Sequence, residues 1–250
     1  MNNFDLFNTK AEIYNNYRPT YSKKCIKFIY DSKIIARSDI IIDVGAGTGI
    51  LSKLFLDQGN KVFAIEPNMD MRNKCTENLK QYKNFNSINA TAENTMLPPH
   101  FANAVIAGQA FHWFDLFAFK KECIRILDDR KLVILIWNRK IQNCEMEIER
   151  QKIRAQYCSV FDNYSNNWNT REEAIANFFN YNYNCKLFAN NLINTYHEFI
   201  GRTFSDSRAP FLDSKEYSQY SSALKLYFDK YSIEGKLIVP NETILFWGYL

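Results

Sequence analysis

Apolar and polar positions recur along this chain with two periods that take turns. Ile40-Ile41-Ile42-Asp43-Val44 is a β-branched run ending at Gly45, and it predicts a strand buried on both faces of a parallel sheet. Ile50-Leu51-Ser52-Lys53-Leu54-Phe55-Leu56 then spaces its apolar residues as a helix does, and Gly59-Asn60 marks a turn. The alternation continues with a strand over 61–65, ending at Glu66-Pro67, and a helix over 69–81. A weaker strand over 85–90 leads into a loop over 91–101, and a strand over 104–108 runs into Gln109-Ala110-Phe111-His112-Trp113-Phe114-Asp115. A helix over 117–127 and a strand over 131–137 follow. Five strands with intervening helices and short connections predict a doubly wound, mostly parallel α/β sheet.

The flanks have a different pattern. Residues 1–36 carry two helical pieces divided at Arg18-Pro19, where the proline stops a helix. After Asn138 the chain turns polar, aromatic and helical over 141–182. It then allows a strand over 187–197 and helices over 198–232, where Tyr217, Tyr220, Leu224, Tyr227 and Phe228 share one face. Residues 236–239 and 243–249, around Pro240, form a terminal strand or hairpin. The expected organisation is one domain over 1–250: an N-terminal helical lid (1–36), a ligand-binding core (37–140), a helical cap with a late strand (141–235) and a terminal strand (236–250).

Composition narrows the functional classes. With 250 residues, 46% of them hydrophobic, the chain can bury one substantial core. A net charge of +4 without a Lys/Arg cluster gives no footprint for nucleic acid. The six cysteines are widely spaced and unaccompanied by histidines, so no metal site and no disulfide framework are expected. Neither a signal peptide nor a membrane-spanning run is evident, and the expected setting is the cytoplasm.

The candidate chemistry gathers at strand ends. Gly45, Gly47 and Gly49 allow positive φ and close backbone approach to a ligand. Asp43 at the mouth of the turn disfavours a phosphate and suits a ligand bearing a cation or hydroxyls. Glu66, at the next strand end, is placed to accept hydrogen bonds from a ribose diol. Ligands of open α/β sheets bind outside the carboxyl ends of the strands, and Asp43, Glu66, Ala92-Glu93, Gln109 and Asn138 all fall there. His112 and Trp113 are the candidates beside a reacting centre, where an aromatic face stabilises a cation. Tyr14, Arg18 and Tyr21 are candidates for substrate contact, Arg18 being suited to a carboxylate; Trp113 and Arg139 extend that set.

Together these residues resemble the class I S-adenosylmethionine-dependent methyltransferases, and most closely the small-molecule branch that includes trans-aconitate methyltransferase-like proteins. The resemblance is carried by Ala11-x-x-Tyr14 with Tyr17-Arg18-Pro19-x-Tyr21, Asp43-Val44-Gly45-Ala46-Gly47-Thr48-Gly49, Glu66-Pro67-Asn68-x-x-Met71, Ala92-Glu93-x-x-x-Leu97-Pro98, Ala110-Phe111-His112-Trp113-Phe114-Asp115 and Trp137-Asn138. It implies a Rossmann-like seven-stranded sheet and S-adenosyl-L-methionine as cofactor. It further implies that Asp43, Gly45, Ala46, Gly47 and Gly49 meet the methionine part, and that Glu66, flanked by Pro67 and Met71, holds the ribose. Ala92 and Glu93 would lie by the adenine, and Gln109 near the sulfonium. Two positions depart from the family pattern. Asn103 stands where Asp is usual before the fourth strand, and Asp128-Asp129-Arg130-Lys131 replaces a Pro-Gly-Gly turn before the fifth.

In-line methyl transfer to a small acceptor, possible with an already ionised carboxylate, needs alignment more than acid–base groups, which matches a chain without a triad or metal cluster. A nicotinamide-dependent oxidoreductase would favour G-x-G-x-x-G and a turn free of acid. A non-catalytic S-adenosylmethionine-binding or regulatory protein is the other reading that the residues allow.

Overall fold

The computed structural model describes residues 18–141, 144–158, 168–204, 209–210 and 214–250. After helix α1 (Lys23–Asp31) the chain alternates strictly: β1 (Ile40–Val44), α2 (Ile50–Leu56), β2 (Lys61–Ile65), α3 (Met69–Leu79) and β3 (Phe85–Ile88). It continues with β4 (Ala102–Gly108), a 3-10 turn at Phe111–Trp113, α4 (Leu116–Ile126) and β5 (Leu127–Lys140). Beyond these come α5 (Glu145–Tyr157), α6 (Trp168–Phe178), β6 (Tyr183–Ala189), β7 (Leu192–Asn194), α7 (Tyr196–Phe204), α8 (Lys215–Tyr231), β8 (Leu237–Val239) and β9 (Asn241–Tyr249). Seven strands form one sheet in the order β3-β2-β1-β4-β5-β9-β6, and β7 pairs with β8 separately. The first five are parallel to one another, while β9 runs antiparallel to both β5 and β6. This is the doubly wound, mostly parallel sheet expected from the strand–helix alternation.

The two-residue period of the strands sorts their side chains onto two faces. Ile41, Ala104, Ile106, Ile134 and Ile136 join Tyr21, Cys25 and Ile29 of the N-terminal segment and Phe55 of α2 in one core. Ile42, Val44, Val105, Val133, Leu135 and Trp137 form the other with Phe111, Phe119, Phe178 and Phe246. A third cluster, Phe199, Tyr220, Leu224, Tyr227, Phe228 and Leu237, knits α7, α8 and β8 together. Four of the five residues of the face read from 217–228 are buried in it, and Tyr217 is half-buried against Phe204.

Two elements differ from their expected forms. The strand expected over 187–197 is two strands, β6 and β7, separated at Asn190-Asn191. There, bonds from Asn190 and Asn191 to Asn241 pin the break: Asn190 N–H donates to Asn241 O at 2.8 Å, and Asn241 N–H donates to the side-chain Oδ1 of Asn191 at 3.3 Å. Residues 196–197 begin a helix instead. The strand expected over 131–137 runs from 127 to 140, because α4 passes into β5 without a turn and β5 meets β4 through a register shift between Ala102 and Ala104.

Side-chain bonds tie the two departures from the family pattern together. Asn103 Oδ1 accepts from Ile40 N–H at 2.8 Å, and its Nδ2 donates to Asp128 Oδ2 at 2.8 Å. Arg130 then bridges Asp128 and the buried Asp39. An aspartate at 103 would set a carboxylate against Asp128, so the two substitutions belong together. Asn103→Asp is expected to destabilise the protein by about 1–2 kcal/mol at pH 7. Adding Asp128→Asn should recover most of that loss, and a double-mutant cycle by chemical denaturation reads the coupling directly.

Candidate functional site

The site is built on the end of β1, in the middle of the sheet. Asp43 lies one residue before the end of the strand, paired in register with Ala64 and Ile106, and is 1% exposed. Ser52, on the first turn of α2, donates its hydroxyl to Asp43 Oδ2 at 2.6 Å. The other carboxylate oxygen, Oδ1, is buried without a hydrogen-bond partner, as is the nearby Thr48 Oγ1. Burial pushes the Asp43 carboxyl up to about 7, the Ser52 hydroxyl and N–H resist that rise, and the neighbouring Glu66 charge adds to it. A buried acceptor with an empty lone pair is a place prepared for a donor.

Between β1 and α2 the backbone turns through three positive-φ glycines with different surroundings. A Cβ on Gly45 (φ +64°) would fall 2.6 Å from Ala110 Cβ, and one on Gly49 (φ +85°) would meet Leu79 and Cys75, so these two glycines serve packing. Gly47 (φ +57°) faces open space, with nothing within 4 Å of where a Cβ would stand. Its N–H donates to Glu66 Oε2 at 2.8 Å, while Glu66 Oε1 accepts from Asn68 N–H at 2.9 Å. Glu66 is thus held at the end of β2 by two backbone donors, with a lone pair remaining on each oxygen. Burial raises its carboxyl above the usual range, opposed by those two N–H groups and by Arg72.

Arg18, Pro19, Tyr21, Asp43, the turn 45–48, Gly108 and Gln109 line one cleft. Of the residues expected from sequence, Arg18, Tyr21, Asp43, Gly45, Ala46, Gly47 and Gln109 therefore come together, with Glu66 joined through Gly47. Gly49 is adjacent but turned toward α3. Pro67 and Ala92 follow the ends of β2 and β3 and Met71 lies in the first turn of α3, Met71 and Ala92 being buried. The Glu93 carboxylate accepts from Asp115 N–H at 3.0 Å, and Asp115 in turn caps α4. His112 and Trp113 stand exposed on the 3-10 turn with ring centroids 4.9 Å apart. Although one side of the ring meets solvent, the protein surrounding the rest of it desolvates the His112 imidazole and, with the Arg171 charge second, pushes it down to about 4, so it is neutral at physiological pH. Arg139 is directed elsewhere. Its Nε and Nη2 donate to Glu242 Oε1 at 2.8 and 2.6 Å, and its guanidinium lies 4.6 Å over the Trp168 ring. Tyr14 is outside the described residues.

Three contributors were not anticipated. Ser52 looked like one polar residue on a helix, Thr48 like a turn residue, and Gly108 like a strand end. A Cβ on Gly108 would stand 2.4 Å from the Tyr21 hydroxyl, which explains the glycine. No cluster of His, Cys, Asp or Glu suited to a metal occurs among the described residues. Nor is any described helix long and apolar enough to cross a membrane. A second, open groove between Tyr196, Tyr217 and Lys225 lies on the helical region among α7 and α8, away from these strand ends.

Two acids and a glycine cradle at the strand ends are poor company for a pyrophosphate and good company for an ammonium group and hydroxyls. Residues 42–135, which span the cradle and both acids, match the family model described as a methyltransferase domain. A provisionally named methyltransferase of Dictyostelium discoideum is 28% identical over 162 residues, covering 64% of this chain and 59% of that protein. The chain thus matches little more than half the length of that curated relative. Among solved structures, a provisionally named type II methyltransferase from Anaeromyxobacter dehalogenans superposes with a TM-score of 0.66 at 17% identity, covering 93% of this chain and 98% of that one. A phosphoethanolamine N-methyltransferase 2 of Haemonchus contortus, in complex with phosphomonomethylethanolamine and S-adenosylhomocysteine, gives 0.55 at 13% identity over 99% of this chain and 59% of that one. The architecture is the Rossmann-like methyltransferase fold.

Proposed function

We propose that this protein is an S-adenosylmethionine-dependent methyltransferase acting on a small-molecule acceptor, and that it works mainly by positioning. The observation that carries the reading is the buried, unpartnered Asp43 Oδ1 beside the open face of Gly47. When bound, S-adenosylmethionine supplies an electrophilic methyl on a sulfonium. Asp43 and Thr48 offer acceptors to its amino-acid end, Gly47 leaves room for it, and Glu66 offers its remaining lone pairs to the ribose hydroxyls. Gln109 and Tyr21 close the side of the cleft that faces α1. A general base is not prominent, because a His112 held near 4 is a weak proton acceptor at neutral pH. Such a site favours an acceptor that arrives already ionised, and Arg18 on the cleft wall suits a carboxylate.

Incubation with methyl-labelled S-adenosylmethionine and a panel of small carboxylic acids, amines and phenols tests this reading. Labelled product with a carboxylic acid is expected. Cofactor binding with no labelled product across the panel would instead favour a non-catalytic binder. Glu66→Gln offers a second check, since it keeps the side-chain shape but turns one acceptor into a donor facing either Gly47 or Asn68. Affinity for S-adenosylhomocysteine should fall about tenfold or more, whereas adenine alone, lacking the diol, should lose much less.

A further inference from the structure

We propose that Asn138, braced by Thr243, is a positioning residue that locks the cleft wall of Arg18–Tyr21 and the Gln109 side into one unit. This rests on the cofactor reading above. Asn138 ends the buried part of β5 and stands opposite Thr243 in the antiparallel ladder with β9. Its side chain uses all of its hydrogen-bonding capacity. Nδ2 donates to Pro19 O at 3.3 Å and Thr20 O at 3.1 Å, while Oδ1 accepts from Thr243 Oγ1 at 2.6 Å and Asn190 Nδ2 at 3.1 Å. Its backbone oxygen accepts from Gln109 Nε2 at 2.9 Å.

The partners extend the lock. Thr243, fully buried, also accepts Ser22 N–H at 2.9 Å. Asn190 donates a second time, to Thr20 O at 3.0 Å. The segment 19–22 is thereby held from β5, from the turn after β6 and from β9. The β5–β9 ladder is complete through its backbone, so these side-chain bonds are not needed to hold the sheet together. What they hold is the wall that Arg18, Pro19 and Tyr21 present to the cleft, while the backbone oxygen of the same Asn138 holds Gln109 across from it. Gln109 occupies a left-handed conformation (φ +58°) that a non-glycine residue keeps only when its surroundings impose it. Its N–H on Ile136 O and its side chain on Asn138 supply that constraint. The amide orientation is dictated too: the Nδ2 side faces two carbonyls and the Oδ1 side faces two donors, so aspartate cannot substitute.

Thr243→Val removes one hydroxyl at nearly constant volume, Thr243→Ser restores it, and Asn138→Asp inverts the donor face. S-adenosylhomocysteine affinity by calorimetry and amide hydrogen exchange of the unliganded protein are the two readouts. Thr243→Val should speed exchange at Ser22 about tenfold or more while leaving β1 and β4 protected. It should also weaken S-adenosylhomocysteine about tenfold, with Thr243→Ser close to wild type and Asn138→Asp at least as impaired as the valine variant. Unchanged affinity and unchanged Ser22 exchange in Thr243→Val would overturn the proposal. So would uniform loss of protection across the sheet, which marks a merely structural role. Failure of the wild type itself to bind S-adenosylhomocysteine would instead refute the cofactor reading, and the exchange pattern would still decide whether the lock exists.

Discussion

Replacing Asp43 by Asn should lower affinity for S-adenosylhomocysteine about 100-fold, on the order of 2–3 kcal/mol, because a charge-assisted bond to a buried acceptor is lost. The same substitution should make the unliganded protein more stable at pH 8. The sign follows from the direction of the shift. Burial raises the Asp43 carboxyl from its ordinary range to about 7, so the fold favours the protonated form. Between about pH 4 and pH 7 the folded state then binds more protons than the unfolded state, and stability falls as pH rises through that window. Above about pH 7 both states are ionised and the penalty is fully present. Asparagine keeps an acceptor for Ser52 and carries no charge, so its melting temperature should exceed that of wild type at pH 8 and converge with it below pH 4. Ligand binding reverses the preference. An ammonium group at Oδ1 favours the ionised carboxylate, so wild-type affinity should decline below pH 7 by up to about tenfold per unit as binding comes to require release of that proton. In Asp43→Asn this component of the slope should vanish. Calorimetry across pH 5.5–8.5 with thermal melts of both proteins measures both effects.

The second large expectation separates two glycines of the same turn. Gly45→Ala should destabilise the fold by about 2–4 kcal/mol, adding left-handed strain to a methyl group forced against its neighbours. The contact responsible is the 2.6 Å approach to Ala110 Cβ, with Phe114 Cζ at 3.3 Å. Gly47→Ala carries strain of about 1–2 kcal/mol but meets no protein atom, so the protein should fold and yet lose cofactor affinity tenfold or more as the methyl enters the cradle. Denaturation and S-adenosylhomocysteine titration of both variants should therefore rank them in opposite orders. Equal affinity losses at equal stability would show that Gly47 does not face the ligand.

What could be read from the residues was whatever is local. The β-branched run at 40–44, the alternating glycines and the acid at each strand end are properties of a few neighbouring positions, and all three recur where they were expected. Long-range partners were not legible. Arg139 looked available for substrate, but Glu242, on the strand paired with β5, occupies its guanidinium. The partner of the Glu93 carboxylate, the backbone N–H of Asp115, was not legible either. Asn190-Asn191 did contain a turn signal, and the apolar residues on either side masked it. Ser52 acts through Asp43, 9 positions away, and Thr243 through Asn138 and Ser22, 105 and 221 positions away, partners that only the fold brings together.

Calorimetric titration of the full chain with S-adenosylhomocysteine and with NAD, at pH 8 where Asp43 is ionised, tests the central claim most directly. Saturable binding of S-adenosylhomocysteine, weakened about 100-fold by Asp43→Asn and accompanied by no NAD binding, is the predicted result. Tight NAD binding with no response to S-adenosylhomocysteine would contradict it.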